Sequence, residues 1–368
     1  MSPWPDRRIL DLFGLDLPIL QAPMAGASGL DLALAVSGAG GLGALPCALL
    51  TPDQVRRQGA DYRQATTNPL NLNFFCHRPA EPEPAAQAAW RERLAPYYRE
   101  LGLDPLAPTA GASRAPFDEA YCDAVEAISP EVVSFHFGLP EPGLLGRVKA
   151  TGARVISSAT TVAEAVWLAE RGCDAVIAMG YEAGGHRGSF LTRDMSAQPG
   201  LMALLPQVVD AVEVPVIAAG GVADGRGIAA AFALGAAAVQ LGTAYLPCPQ
   251  SLIPDFHRQA LTRATDDGTA LTNLFTGRPA RGLFNRLMRE IGPLSPDAPA
   301  FPTAAAALGP LRAESPTPED FTSLWAGQAA PLAHPADAGE LTRRLGQDAL
   351  ACLMRLSGRP DPASHPAS

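Results

Sequence analysis

Residues 174–189 read DAVIAMGYEAGGHRGS, and here the residue types come closest to chemistry. The apolar run 175–179 has the length and β-branching of a buried strand. It breaks into Gly180, Gly184, Gly185 and Gly188, with His186 and Arg187 among them. A strand that ends in a glycine-rich loop lets backbone N–H groups approach a bound group that side chains would block. His186 then sets a titratable group beside whatever the loop holds. A solvent-facing loop histidine is the alternative.

Two further glycine steps, Gly220-Gly221 and Gly242-Thr243, follow later apolar runs. Backbone amides at such ends can grip a phosphate, and Thr243 adds a hydroxyl donor. Lys149 is the only lysine and sits in GRVKATGARV, which reads as an exposed helix end. Schiff-base chemistry or a lysine phosphate clamp is therefore excluded at every other position. Glu182 and Asp224 are isolated, and Asp224 suits the N-cap of a helix starting near Gly225. Paired-carboxylate acid–base work is thus poorly supported, and no metal-ligand cluster stands out. Cys76 beside His77 reads as packing. What remains is a phosphorylated cofactor held by backbone amides.

The elements that must position these residues recur along the chain. Strand-like runs lie at 17–24, 41–45, 70–75, 132–137, 154–158, 175–179, 215–219 and 238–241, with helical patterns between them. Parallel strands need crossover helices, and closing the sheet removes its edges, so the pattern predicts an α/β (β/α)₈ TIM barrel. An open doubly wound sheet is disfavoured because no GxGxxG follows the first strand. The glycine-rich stretch 38–43 precedes a strand and reads as a helix C-cap and turn. Ligands of such barrels bind at the C-terminal strand ends, and a phosphate typically sits after strands seven and eight.

Two regions exceed loop length. Residues 77–130 form an insertion expected to lay an extra helix or two over the barrel mouth. The expected division is a barrel over 1–246, a second, mainly helical subdomain over 247–337, and a helix over 338–358 that packs back on the barrel. Residues 361–368 read as frayed.

Composition closes off several classes. The chain has 368 residues, 47% apolar and 18% charged, as a globular protein does. A net charge of −9 argues against nucleic acid as a partner. Its six cysteines show no CxxC spacing, which indicates neither zinc nor a disulfide framework and fits a reducing compartment. The N-terminal residues lack an apolar export-signal core. The long uncharged stretch 228–246 is interrupted by Gly235, Gln240, Gly242 and Thr243, so no membrane span is expected. A cytoplasmic location follows as the expectation.

In order along the chain stand QAPMAG, NLNFF, HFGLP, YEAGGHRG, PVIAAGG, VQLGTAYL, FTGRPAR and WAGQAA. Together they resemble the nitronate monooxygenases, over roughly residues 17–287 and again at 325–330. The resemblance implies a TIM barrel with non-covalent FMN and a helical second domain closing over the flavin. Ala22, Pro23 and Met24 would lie along the flavin ring, and Asn73 and Asn71 would hydrogen-bond to it. Gly184, Gly220, Gly221, Gln240, Leu241, Gly242 and Thr243 would hold its phosphate. His186 would match the active-site base and His136 would line the substrate pocket; Arg187, beside His186, reads either as a donor to the nitro oxygens or as a surface residue. Met179 stands against the flavin where many relatives carry glutamine, and Phe301-Pro302 stands where Tyr-Pro is expected. The implied reaction is oxidation of alkyl nitronates by dioxygen to carbonyl compounds and nitrite. An NADH-dependent flavin reductase acting on quinones or enoyl thioesters, and a flavin-free barrel binding a sugar phosphate, are the other two readings.

Overall fold

The computed structural model describes residues 3–79, 81, 83–107, 114–192 and 194–357. The strands are β1 (Ile19–Gln21), β2 (Gly43–Pro46), β3 (Leu70–Phe75), β4 (Val132–His136), β5 (Arg154–Ala159), β6 (Ala175–Met179), β7 (Gly185–His186), β8 (Val216–Ala219), β9 (Ala238–Leu241), β10 (Thr269–Thr272) and β11 (Ala280–Leu283). All except β7, β10 and β11 pair in parallel in one eight-stranded sheet, in the order β1-β9-β8-β6-β5-β4-β3-β2. The expected TIM barrel is therefore the fold. Each expected strand run contains one of the eight, apart from end residues that spill into loops.

The barrel closes where β1 meets β2, through a Leu20–Leu42 bridge. Gln21 extends that seam with a side chain: its amide donates to Ala44 O and accepts from Ala44 N, each at 3.1 Å. A fully buried carboxamide thereby does the work of a peptide group. The glycines at 40–43 serve this seam. Gly40 turns the chain with φ +91°, a Cβ on Gly41 would stand 2.7 Å from Ile19 O, and one on Gly43 would collide with Ala33 O. Glycine is thus required by the close approach of helix Leu30–Gly38 to the sheet.

Helix starts follow local chemistry. Thr51 and Gln54 form a capping box ahead of helix Pro52–Ala65. Asp224 accepts from Arg226 N and Gly227 N and caps helix Gly225–Ala233, as its position suggested. Glu182 accepts from Leu201 N and so caps helix Leu201–Ala211, which removes it from acid–base duty. Helix Ala338–Leu356 buries Leu341, Leu345 and Ala349 in the barrel's core, and Thr342 bonds Tyr245 at 2.8 Å.

The second unit differs from the helical expectation. Besides short helices such as Asp255–Thr262, it carries an antiparallel sheet in the order β10-β11-β7. Its third strand is the His186 loop of the barrel, with Ala280 paired to His186 and Arg281 to Gly185. The insertion also splits in two. Helix Glu119–Ile128 joins the barrel wall, whereas helix Pro84–Glu100 belongs to the second unit. Trp90, Leu94, Tyr97 and Tyr98 pack there with Leu274, Phe275, Leu308 and Phe321. The Trp90 indole donates to Ala304 O and the Tyr98 hydroxyl to Ala307 O. The frayed tail expected at 361–368 lies outside the described residues. Among those described, no helix is long and apolar enough to cross a membrane.

Candidate active site

At the C-terminal mouth of the barrel, three histidines gather from distant parts of the chain. His136 ends β4, His77 follows β3, and His186 lies in β7. Phe75, Phe137 and Phe301 surround them, with ring centroids 6.2, 6.1 and 5.4 Å from that of His186. Trp325 completes the wall at 5.5 Å. Phe301, the departure noted above, makes this wall apolar where a tyrosine would have brought a hydroxyl.

His186 is held at both ends. Its backbone pairs with β11, and its Nε2 lies 2.9 Å from Thr276 Oγ1. The Thr276 hydroxyl in turn lies 3.4 Å from Arg278 O, which can only accept. The network therefore assigns Nε2–H as donor to Thr276 and leaves the Nδ1 lone pair without a partner among the described residues. Burial lowers the His186 pKa well below its ordinary value, and the positive charges of Arg114 and Arg278 push it the same way. The ring is neutral at neutral pH.

His136 has a different task. Its Nε2 lies 3.2 Å from His186 O and its Nδ1 2.6 Å from Ser158 Oγ. Since a carbonyl only accepts, Nε2 carries the proton and Nδ1 accepts from the serine. Burial and Arg278 push its pKa to about 3. With both nitrogens committed, His136 positions the His186 backbone and offers a pocket only its ring. Gly188 makes room for this pair, because a Cβ there would stand 2.7 Å from Ser158 Oγ.

Arg187 requires a correction. It was expected at the substrate, yet it is fully buried beneath the loop. Its guanidinium donates to Gln198 Oε1, Met179 O and Gly180 O. Neighbours in an extended segment point to opposite faces, so a cleft-facing His186 sends Arg187 into the core. The cations facing the histidines are Arg278, whose guanidinium carbon lies 3.7 Å above the Phe137 ring, and Arg114, 5.5 Å above the Phe301 ring. Neither was singled out in the sequence, and the roles of His77, Thr276 and Trp325 were missed as well. FTGRPAR and WAGQAA marked two of these places without assigning them a task.

The glycine rim follows the ends of β6, β8 and β9. Gly220 and Gly221 have φ of +102° and +71°, a conformation that favours glycine. Gly184 has no space for a Cβ, which would stand 2.5 Å from Gly327 N. Gly327 N donates to Thr243 Oγ1 at 2.9 Å, so the rim and the 325–330 segment meet. A Cβ on Gly242 would touch Ala22 and Met24, which brings the first strand's loop to the same place. Met179, at the end of β6, is buried. Asn73 donates to Ser134 Oγ at 2.9 Å. Two residues down the same strand face, Asn71 is fully buried with both amide atoms unpartnered, and Gln240 Oε1 is also unpartnered. Buried orphans of this kind await a hydrogen-bonding group. Among the described residues, no group of His, Cys, Asp and Glu could hold a metal ion.

The buried histidines make a prediction about acid stability. His77 and His257 are 6% and 5% exposed, and burial lowers each pKa to about 4. The unfolded chain binds a proton near pH ~6.5 while the folded one does not, so each group's contribution is complete above that pH. As pH falls from there toward 4, stability declines by up to ~1.4 kcal/mol per pH unit for each histidine. In urea titrations over this range, His257→Gln should flatten the decline by about one histidine's share. A slope identical to that of the parent would show that His257 is not held neutral.

A parallel barrel with a neutral histidine at its mouth, a glycine rim at its strand ends and orphaned amides on its strands defines a barrel enzyme for an organic ligand. The family model for nitronate monooxygenase matches residues 6–348. The chain belongs to the nitronate monooxygenase family. It is 40% identical to nitronate monooxygenases of Paraburkholderia phytofirmans and Pseudomonas aeruginosa, over 93% of this chain in both cases and 94% and 98% of theirs. Among solved structures, nitroalkane oxidase from Streptomyces ansochromogenes matches with a TM-score of 0.85 and 38% identity, over 95% of this chain and 99% of that one.

Proposed function

We propose that this enzyme oxidises alkyl nitronates with dioxygen to carbonyl compounds and nitrite, on a bound FMN. The observation that carries this reading is the His186 site: a neutral imidazole with its Nδ1 unpartnered, in an aromatic cleft above the barrel mouth. Membership of the family and the likeness to a nitroalkane oxidase support it.

The residues present fit FMN. Asn73, Asn71 and Gln240 would meet the polar edge of the ring, with Ala22, Pro23, Met24 and Met179 along its faces. Gly184, Gly220, Gly221, Leu241, Gly242 and Thr243 would cradle the phosphate. The hydroxyl of Thr243 accepts from Gly327 and keeps its own proton to donate. When bound, the flavin supplies two-electron oxidation and reaction with dioxygen.

This chain's residues do the rest. Nδ1 of His186 accepts the α-proton of a neutral nitroalkane, while Thr276 keeps the opposite nitrogen protonated and the ring aimed. Protonation delocalises charge toward the Thr276 hydroxyl. His136 and Ser158 hold the loop that carries the base. The phenylalanines and Trp325 exclude water from the cleft.

Purified protein should be yellow and release FMN on heating, identified by chromatography. The rim offers one phosphate cradle and no second site for an adenylate, so FAD in the extract would overturn the assignment. Anaerobic bleaching should be fast with a nitronate. Bleaching by NADH alone would favour the reductase reading, and a colourless protein the flavin-free one.

A further inference from the structure

We propose that Arg114, delivered into the cleft from the insertion, is the residue that selects the anionic nitronate over the neutral nitroalkane. The inference rests on the function proposed above and assigns the substrate's charge state to one side chain.

Arg114 is half-buried, with its guanidinium over the ring of Phe301. Phe301 in turn lies 4.8 Å from His77 and 5.4 Å from His186 by ring centroids. Among the described residues, no carboxylate stands within ion-pair distance of Arg114. Arg147 and Arg286, by contrast, are matched, the first with Glu119, Asp123 and Glu126 and the second with Glu100 and Glu290. Nearby Arg312 adds further positive charge and lowers the Arg114 pKa together with burial. A guanidinium withdrawn from water without a counter-ion is costly, and a planar O–N–O anion supplies the missing partner in its own geometry. The aromatic face of Phe301 keeps the guanidinium in place while leaving its N–H groups to the cleft.

The charged groups around His186 agree with this. Arg114 and Arg278 disfavour a positive imidazole there, while His136 and His77 beside it are themselves kept neutral by burial. The same field that keeps the base neutral attracts an anion. Arg278, donating to Ser189 O from over Phe137, reinforces the field from the second unit. Arg114 arrives on the insertion, as His77 does at its start.

Sodium nitrate, a planar anion with the same O–N–O edge, serves as the probe on the flavin-loaded protein. Nitrate binding, read from the perturbed flavin absorbance, should weaken about ten- to hundred-fold in Arg114→Gln. Arg114→Lys should recover most of it, since it restores the charge without the fork. In kinetics, KM for a nitronate should rise by the same factor in Arg114→Gln with kcat little changed. KM for the corresponding nitroalkane should stay within about two-fold. Unchanged nitrate affinity, or equal KM increases for both substrates, would overturn the proposal. A parent enzyme that turns over neither substrate would instead refute the proposed function, and the nitrate titration would still decide the role of Arg114.

Discussion

His186→Asn lowers turnover of neutral nitroalkanes by a factor of about 10²–10⁴ and leaves nitronate turnover far less affected. Asparagine can still hydrogen-bond to Thr276 but cannot accept a proton at neutral pH. A nitroalkane must lose its α-proton in the site, whereas a nitronate arrives without it and needs only positioning. The parent enzyme's pH profile adds a second measure. A base works only when unprotonated, so activity on nitroalkanes is lost as pH falls through the pKa of His186. Because burial and the charges of Arg114 and Arg278 hold that pKa well below 6.5, the acid limb of kcat/KM lies below pH 6.5. Steady-state rates on both substrates, with flavin content and anaerobic reduction as controls, test this. Equal losses on both would make His186 a positioning or electrostatic group, and no loss on either would remove it from the mechanism.

Gly221→Glu should empty the cofactor site, raising the FMN dissociation constant by at least about 100-fold, because like charges set together cost several kcal/mol. Gly221 has φ +71°, and a Cβ there would stand 3.3 Å from Glu182 Cβ, so any side chain brings strain and crowding. Gly221→Gln carries the same bulk and strain without the charge and separates the two effects. The glutamine variant should retain FMN much better than the glutamate one, and added salt should narrow the gap. Equal loss in both would place the phosphate elsewhere on the rim. Full FMN content in the glutamate variant would do the same more directly.

The second unit shows why some features escape a linear reading. Its sheet is assembled from 185–186, 269–272 and 280–283, and none of these pieces (GH, TALT, ARGL) is a continuous apolar run. The composition of 247–337 suggested helices, and the hairpin was hidden within it. Helix Pro84–Glu100 is expected over the barrel mouth, but Trp90 and Tyr98 are satisfied by carbonyls more than two hundred residues away. The Arg187 error has a local cause. Reading 185–187 as loop gave no reason to separate His186 from its neighbour, whereas a strand, however short, sends them to opposite faces.

By itself, the sequence determined the barrel, the strand ends that form its mouth and the glycine positions of the rim. These depend on local signals: apolar runs of strand length, caps such as Thr51 and Asp224, and glycines where two backbones touch. Each can be read within about ten residues of chain. Only the tertiary structure decided the chemistry of the cleft. It set Thr276 against His186, turned both nitrogens of His136 to the support of a loop, sank Arg187 and raised Arg114 and Arg278 in its place. Those arrangements depend on contacts between residues far apart in the chain, such as His186 with Thr276 and Arg114 with Phe301. A side chain's partner, and with it its charge and proton, is set by burial and proximity in space, which local patterning does not encode.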